Sequence, residues 1–298
     1  MQADDIQPRK MLSWAFESLK GGRNENQDFC GHCKTVDGSH LFIVCDGMGG
    51  MKGGSIASKE AVRIIREEAA GSLETDPAIL LTKALQKANA VIFHLGHSKE
   101  EFRGMGTTVA ALLISNEKAT AAHVGDSRIY QLRGKHKVFR TFDHSMVFEL
   151  VKRGRLTEEQ ARLSADSNVI NRALGMKPEV DVEINGNLPY RKGDRFMLCT
   201  DGISGMVEEQ TLLRMIASKQ PIEETVGDVA HRIDNTGNET GGGHDNLTLA
   251  LIEANIHSKL KPAMDKKSKL VIFILSLSLL VSIGLNIYLI WLYNNINL

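Results

Sequence analysis

Two rhythms organise the apolar positions along the chain. Residues 55–71 place Ile56, Val62, Ile64 and Ile65 on roughly one side at helical spacing, and predict an amphipathic helix. Thr75, Asp76 and Pro77 then supply a start signal, a capping side chain and a first-turn proline. The helix they open is expected to bury Leu81, Leu85, Ala88 and Ile92. Short apolar runs bounded by turn residues predict strands at 41–45 (LFIVC), 107–115, 118–124, 127–133 and 136–142. The last four are separated only by short turns containing SNE, GD and GK, the pattern of an antiparallel meander.

Charged, helix-compatible sequence follows Asp143 as far as Ala173. Strands at 180–186 and 195–200, helices at 207–218 and 222–236, and a strand at 246–253 complete the body. Helices in pairs beside runs of strands predict a layered α+β domain over residues 1–258.

From Leu270 to Tyr293 the rhythm disappears. These 24 residues carry no charge, enough to cross a bilayer as one helix. Trp291 and Tyr293 suit an interfacial aromatic belt. The linker 259–269 holds five lysines and one aspartate, and the positive-inside rule then places the body in the cytoplasm. Residues 294–298 form a short tail, and MQADDIQPRK has no apolar signal region. The expectation is a single-pass protein anchored through its C-terminus.

The whole chain is formally neutral, with 36 basic and 36 acidic groups. Without the linker, residues 1–258 hold 31 basic against 35 acidic groups, which gives no support to nucleic-acid binding. Of four cysteines, Cys30 and Cys33 spell CGHC, a redox or half-zinc spacing. No strand–turn–helix pattern surrounds it, and no second pair completes a zinc set. Cys45 and Cys199 end apolar runs and read as small buried side chains. The sequence after Cys45, DGMGGMK, is no cysteine-phosphatase phosphate loop.

Chemistry collects where strands end. Asp46 follows LFIVC and precedes GMGG; Asp126 lies in HVGDSR; Asp201 stands between RFMLCT and GISG; Asp245 sits in GGGHDN. One such corner is ordinary turn chemistry. Four, with Asp28 in NENQDF, ask for cations among them, since like charges are costly to bury together. Oxygen ligands favour Mg²⁺ or Mn²⁺, and the glycines allow bare backbone to approach the same ion.

GGRNENQD, VCDGMGG, GMGTT, HVGDSR, TFDHS, LCTDGISG and GGGHDNLT occur in the order and spacing of the type 2C metal-dependent protein phosphatases, bacterial branch. The resemblance covers roughly residues 10–255. It implies an α-β-β-α sandwich of two antiparallel sheets flanked by helices. It also implies hydrolysis of phosphoserine and phosphothreonine by water activated between two Mn²⁺ or Mg²⁺ ions, with a third ion in some members. Asp46 resembles the carboxylate bridging two metals, with the Gly47 carbonyl as a further ligand. Asp201 and Asp245 resemble the other ligands of the first metal, and Asp28 the residue holding water near the second. Arg23 matches the arginine that grips the phosphoryl group. Asp126 matches an accessory third-metal ligand, and residues 145–180 fall where the family carries a flap.

Two positions depart from the family's pattern. Gln27 stands where many members have glutamate. Met48 stands where many eukaryotic members have a histidine proposed as general acid, which leaves water or a nearby group such as His144. The implied partners are phosphoproteins, including a membrane-associated Ser/Thr kinase. Competing readings are a pseudophosphatase that only binds phosphoproteins, disfavoured by intact Asp46, Asp201 and Asp245, and an acidic-cluster nuclease.

Overall fold

The computed structural model describes residues 11–49 and 53–260, with the isolated Ser278. Its elements are β1 (Leu12–Leu19), β2 (Asp28–Lys34), β3 (His40–Met48), α1 (Gly53–Gly71), α2 (Pro77–Ser98), β4 (Gly106–Thr107), β5 (Val109–Ile114), β6 (Ala119–Val124), β7 (Arg128–Arg133) and β8 (His136–Arg140). These are followed by α3 (Met146–Lys152), α4 (Glu158–Arg162), β9 (Glu183–Leu188), β10 (Asp194–Cys199), α5 (Asp201–Ser204), α6 (Glu209–Ile216), α7 (Ile222–Glu239) and β11 (Leu247–Ala254).

Two sheets result. One runs β1-β11-β10-β7-β8; the other runs β2-β3-β5-β6-β9, with β4 paired to β3. Each pairing is antiparallel. Helices α1 and α2 cover the second sheet, and α7 lies on β1 and β11 of the first. This is the expected α-β-β-α sandwich.

The central strands are apolar throughout because both faces are buried. On β3, Leu41, Ile43 and Cys45 pack under α1 and α2, while Phe42 and Val44 point between the sheets. On β11, Leu247, Leu249 and Leu251 face the helices, and Ala250, Ile252 and Ala254 face the other sheet. Successive strand residues alternate sides, so an unbroken apolar run serves two cores at once. Asp76 caps α2 as expected, accepting hydrogen bonds from the Ala78 and Ile79 amides, with Pro77 in the first turn.

The structure departs from the sequence reading in three places. Strands β1 and β2 carry no apolar run: they are edge strands, and a half-exposed edge needs little hydrophobicity. CGHC lies inside β2, with Cys30 packed toward the space between the sheets and Cys33 toward the helical layer. Three strand steps separate the thiols by about 10 Å along the chain, too far for a disulfide. Finally, residues 145–173 are helical only in α3 and α4, because Gly154 turns the chain between them and Ser164, Asp166 and Ser167 feed turns after α4.

No described helix is long and apolar enough to cross a membrane. Apart from Ser278, the run 270–293 lies outside the described residues.

Phe42 is fully buried between the sheets. Phe42→Ala is expected to cost about 3–5 kcal/mol of stability, read from urea midpoints, because a rigid two-sheet core cannot close around the void.

Candidate active site

The predicted carboxylates meet at adjacent ends of the two sheets. Asp28 opens β2 and stands directly across from Asp46 near the end of β3. Asp201 follows β10 as the first residue of α5, and Asp245 precedes β11. Asp126 sits in the turn joining β6 to β7, where the chain passes from one sheet to the other. Asp46, Asp126, Asp201, Asp245 and Arg23 line one cleft of about 600 Å³. Gly47 lines it too, and a Cβ at that position would lie 2.1 Å from the Gly54 carbonyl oxygen, so only glycine fits.

The electrostatics of this cluster are adverse. Burial, and then the charge of Asp28, push the Asp46 carboxyl well above the usual carboxylate range. Asp126 is raised by burial and by Asp201, and Asp201 by burial and by Asp245. Burial pushes Asp28 up to about 7, against hydrogen bonds from Thr248 and Thr200 that favour its charged form. Oδ1 of Asp28 and Oδ1 of Asp201 are buried and have no hydrogen-bond donor. Carboxylate oxygens that are buried, crowded and without donors fit hard divalent cations. Asp46, Asp201, Asp245 and the Gly47 carbonyl could hold one, and Asp28 and Asp126 could serve neighbouring ions.

Arg23 is half-exposed, and its Nη2 donates to Asp245 Oδ2 at 2.8 Å. The loops that carry the two are closely apposed: the Gly22 amide donates to the His244 carbonyl at 3.1 Å. Gln27 and Met48 both line the cleft, as their places in the sequence suggested.

Several supporting groups escaped the sequence reading. Thr108 Oγ1 accepts from the Asp46 amide at 2.9 Å, and Thr107 Oγ1 donates to the Asp46 carbonyl at 2.8 Å. Thr200 Oγ1 donates to Asp28 Oδ2 at 2.9 Å, tying the first sheet to the second. Asn246 Oδ1 accepts from the Gln27 amide, while its Nδ2 donates to the Lys20 and Glu25 carbonyls. Beside Asp126, Arg128 and Asp143 form a buried two-pronged ion pair at 2.8 and 2.6 Å. The available signal was a polar side chain interrupting or ending an apolar strand.

His144 is not placed to be the general acid. It is buried and lines neither this cleft nor the adjoining one of about 300 Å³. Its Nε2 lies 3.2 Å from Glu183 Oε2. His123, His144 and Glu183 bring potential ligand atoms within 4.8 Å of one another. However, His144 Nδ1 accepts the Gly125 N–H, so its proton sits on Nε2, where a cation would need a lone pair.

The protein phosphatase 2C family profile matches residues 21–248. Serine/threonine phosphatase stp of Listeria innocua is 33% identical over 241 residues, covering 80% of this chain and 93% of that protein. Protein phosphatase PhpP of Streptococcus pneumoniae is 34% identical over 241 residues, covering 78% and 93%. Among solved structures, the S. agalactiae serine/threonine phosphatase superposes with a TM-score of 0.72 at 30% identity, over 82% of this chain and 99% of that one. The catalytic domain of the phosphatase PstP, solved with two manganese ions, gives a TM-score of 0.68 at 28% identity, over 81% and 97%. The chain belongs to the protein phosphatase 2C family.

Proposed function

We propose that this phosphatase hydrolyses phosphoserine and phosphothreonine on proteins at the cleft between the sheet ends, with Mn²⁺ or Mg²⁺ as cofactor. One observation carries the reading: four aspartates line a cleft that also presents Arg23, and a fifth, the buried Asp28, stands directly across from Asp46. Asp46 would bridge two cations, helped by the Gly47 carbonyl; Asp201 and Asp245 would complete the first site. Asp28 would steady water at the second, and Asp126 would serve a third. Bound there, the cations supply Lewis acidity and a water nucleophile at neutral pH.

The protein's own groups do the rest. Arg23 offers a planar fork of donors to the phosphoryl oxygens and exchanges its Asp245 partner for the substrate. Thr107 and Thr108 hold the Asp46 backbone from both sides, so the bridging carboxylate needs no reorganisation during the reaction. Met48 lines the cleft without a transferable proton, which leaves solvent in the cleft to protonate the leaving alkoxide.

The anchor belongs to the same proposal. Residues 1–258 would form the catalytic body, 259–269 a basic linker and 270–293 a membrane span, with the body in the cytoplasm. The support is the uncharged run of 24 residues and the five lysines before it. Tethering raises the effective concentration of membrane-bound substrates, among which a Ser/Thr kinase is the natural candidate.

Outcomes are expected in three areas, activity, stability and location. With the full-length chain in detergent and a phosphothreonine peptide, activity requires Mn²⁺ or Mg²⁺ and is lost in EDTA. Asp46→Asn and Asp245→Asn should lose more than the about 10–100-fold typical of a missing supporting partner. Arg23→Ala should act chiefly on KM, by about tenfold or more, the worth of charge-assisted hydrogen bonds. Turnover that survives chelation would refute the reading.

Stability should follow the carboxylate linkage. Because the folded state raises the Asp28 pKa to about 7, stability is intact below the unfolded value of 3.8 and is lost as pH rises through 7. In EDTA, Asp28→Asn should therefore gain on wild type between about pH 4 and about pH 7, by about 2–4 °C in Tm per kcal/mol recovered. A melting difference that ignores pH would contradict this. The third area is location: the full chain should sediment with carbonate-washed membranes, and a chain ending at Lys269 should not.

A further inference from the structure

His144 makes an unusual set of contacts for a residue outside the cleft. Its backbone N–H donates to the Gly125 carbonyl at 3.0 Å, and its Nδ1 accepts the Gly125 N–H at 3.1 Å. Both polar groups of one glycine are thus held by one histidine. Gly125 precedes Asp126, adopts a φ of +102°, and packs so closely on Thr108 that a Cβ would meet that side chain at 2.7 Å. Thr108 in turn shares a 2.7 Å hydrogen bond with Ser127 and accepts from the Asp46 amide. The turn carrying Asp126 is therefore pressed onto the residue that supports Asp46.

The same histidine reaches a second segment that lines the cleft. Its carbonyl accepts from the Asn171 amide at 2.7 Å, and Ser145 forms an isolated bridge with Ile170. Asn168 and Ile170, just before Asn171, line the cleft.

The imidazole itself is locked. Glu183 accepts from its Nε2–H, and His123 stacks on its face at 4.4 Å and 15°. His123 is held by its own Nε2, 2.8 Å from the Phe142 carbonyl. Burial, with His123 alongside, pushes the His144 imidazole down to about 4, so its Nδ1 lone pair persists through the neutral range.

We propose that His144 is a positioning residue. It brackets Gly125 to aim Asp126 into the cleft, and it ties that turn to the 168–171 segment, which also contributes to the cleft lining. The histidine thus acts through two loops and touches no reacting atom. The proposal rests on Asp126 being a cation ligand, but the brace itself can be measured without metal or substrate.

The test uses the full-length chain. Amide exchange at Gly125 and Asn171 is followed in EDTA by mass spectrometry with residue-level fragmentation. His144→Ala should speed exchange at Gly125 by about tenfold, the worth of one hydrogen bond, with a smaller rise at Asn171. His144→Asn, whose Oδ1 can take the place of Nδ1, should restore protection. In Mn²⁺ titrations, His144→Ala should raise the concentration for half-maximal activation by about 10–100-fold, leave the peptide KM unchanged, and be rescued by His144→Asn.

Wild-type exchange at Gly125 in His144→Ala, or an asparagine variant as exposed as the alanine one, would overturn the proposal. If the alanine variant does not fold, Glu183→Ala decides. It removes the Nε2 acceptor, together with a 3.4 Å hydrogen bond from Asn185, at a partly exposed position, and must loosen Gly125 in the same direction. Altered exchange with unaltered Mn²⁺ dependence would leave the brace standing and overturn its link to Asp126. Loss of all phosphatase activity in the wild type would instead count against the proposed reaction.

Discussion

Like charges held out of water repel, and this protein gathers five carboxylates at one end of a sandwich. Asp28, Asp46, Asp126 and Asp201 are each raised above the ordinary carboxylate range, burial being the largest cause and neighbouring aspartates the next. The surrounding structure can be understood as what keeps such a cluster together long enough to receive cations. Hydroxyls and amides serve where bulk water cannot: Thr200 and Thr248 on Asp28, Thr107 and Thr108 on the Asp46 backbone, Asn246 at three points of the loop between β1 and β2. Among the described residues, Arg23 is the one cation ion-paired with a cluster member, and it is half-exposed, where such a pair is weak.

The sandwich supplies the stiffness that this arrangement needs. Apolar cores on both faces of β3, β5, β10 and β11 fix the register of the strands whose ends carry Asp46, Asp201 and Asp245. A slip of one residue would turn every such side chain to the wrong face. Register in the core thus becomes position in the cleft. Asp126 rides on the connection between the sheets, where the Arg128–Asp143 pair at the start of β7 and the His144 bracket substitute for a strand ladder.

Two substitutions relative to the family's pattern fall within the cleft without disturbing it. Gln27 keeps its backbone tied to Asn246 and Gly47, while its amide removes one negative charge from an already crowded wall. Met48 gives the cleft an apolar, flexible edge where a titratable group could have stood.

The sequence alone determined most of the periodic elements, the capped start of α2 and the placement of carboxylates at strand ends, because helix and strand spacing and Asp-Gly corners are written locally. The ordered motifs carried the family and its sandwich. What it could not show was whatever depends on pairing partners far along the chain. β1 and β2 are strands because β11 and β3 pair with them, and their own composition says little. CGHC looks like a thiol pair in one dimension, yet a strand's two-residue alternation sends its sulfurs to opposite faces. In sequence His144 is only a candidate acid; folding alone puts Gly125, Asn171 and Glu183 around it. Local sequence specifies which groups are available, and long-range hydrogen bonding and burial decide what each of them can do.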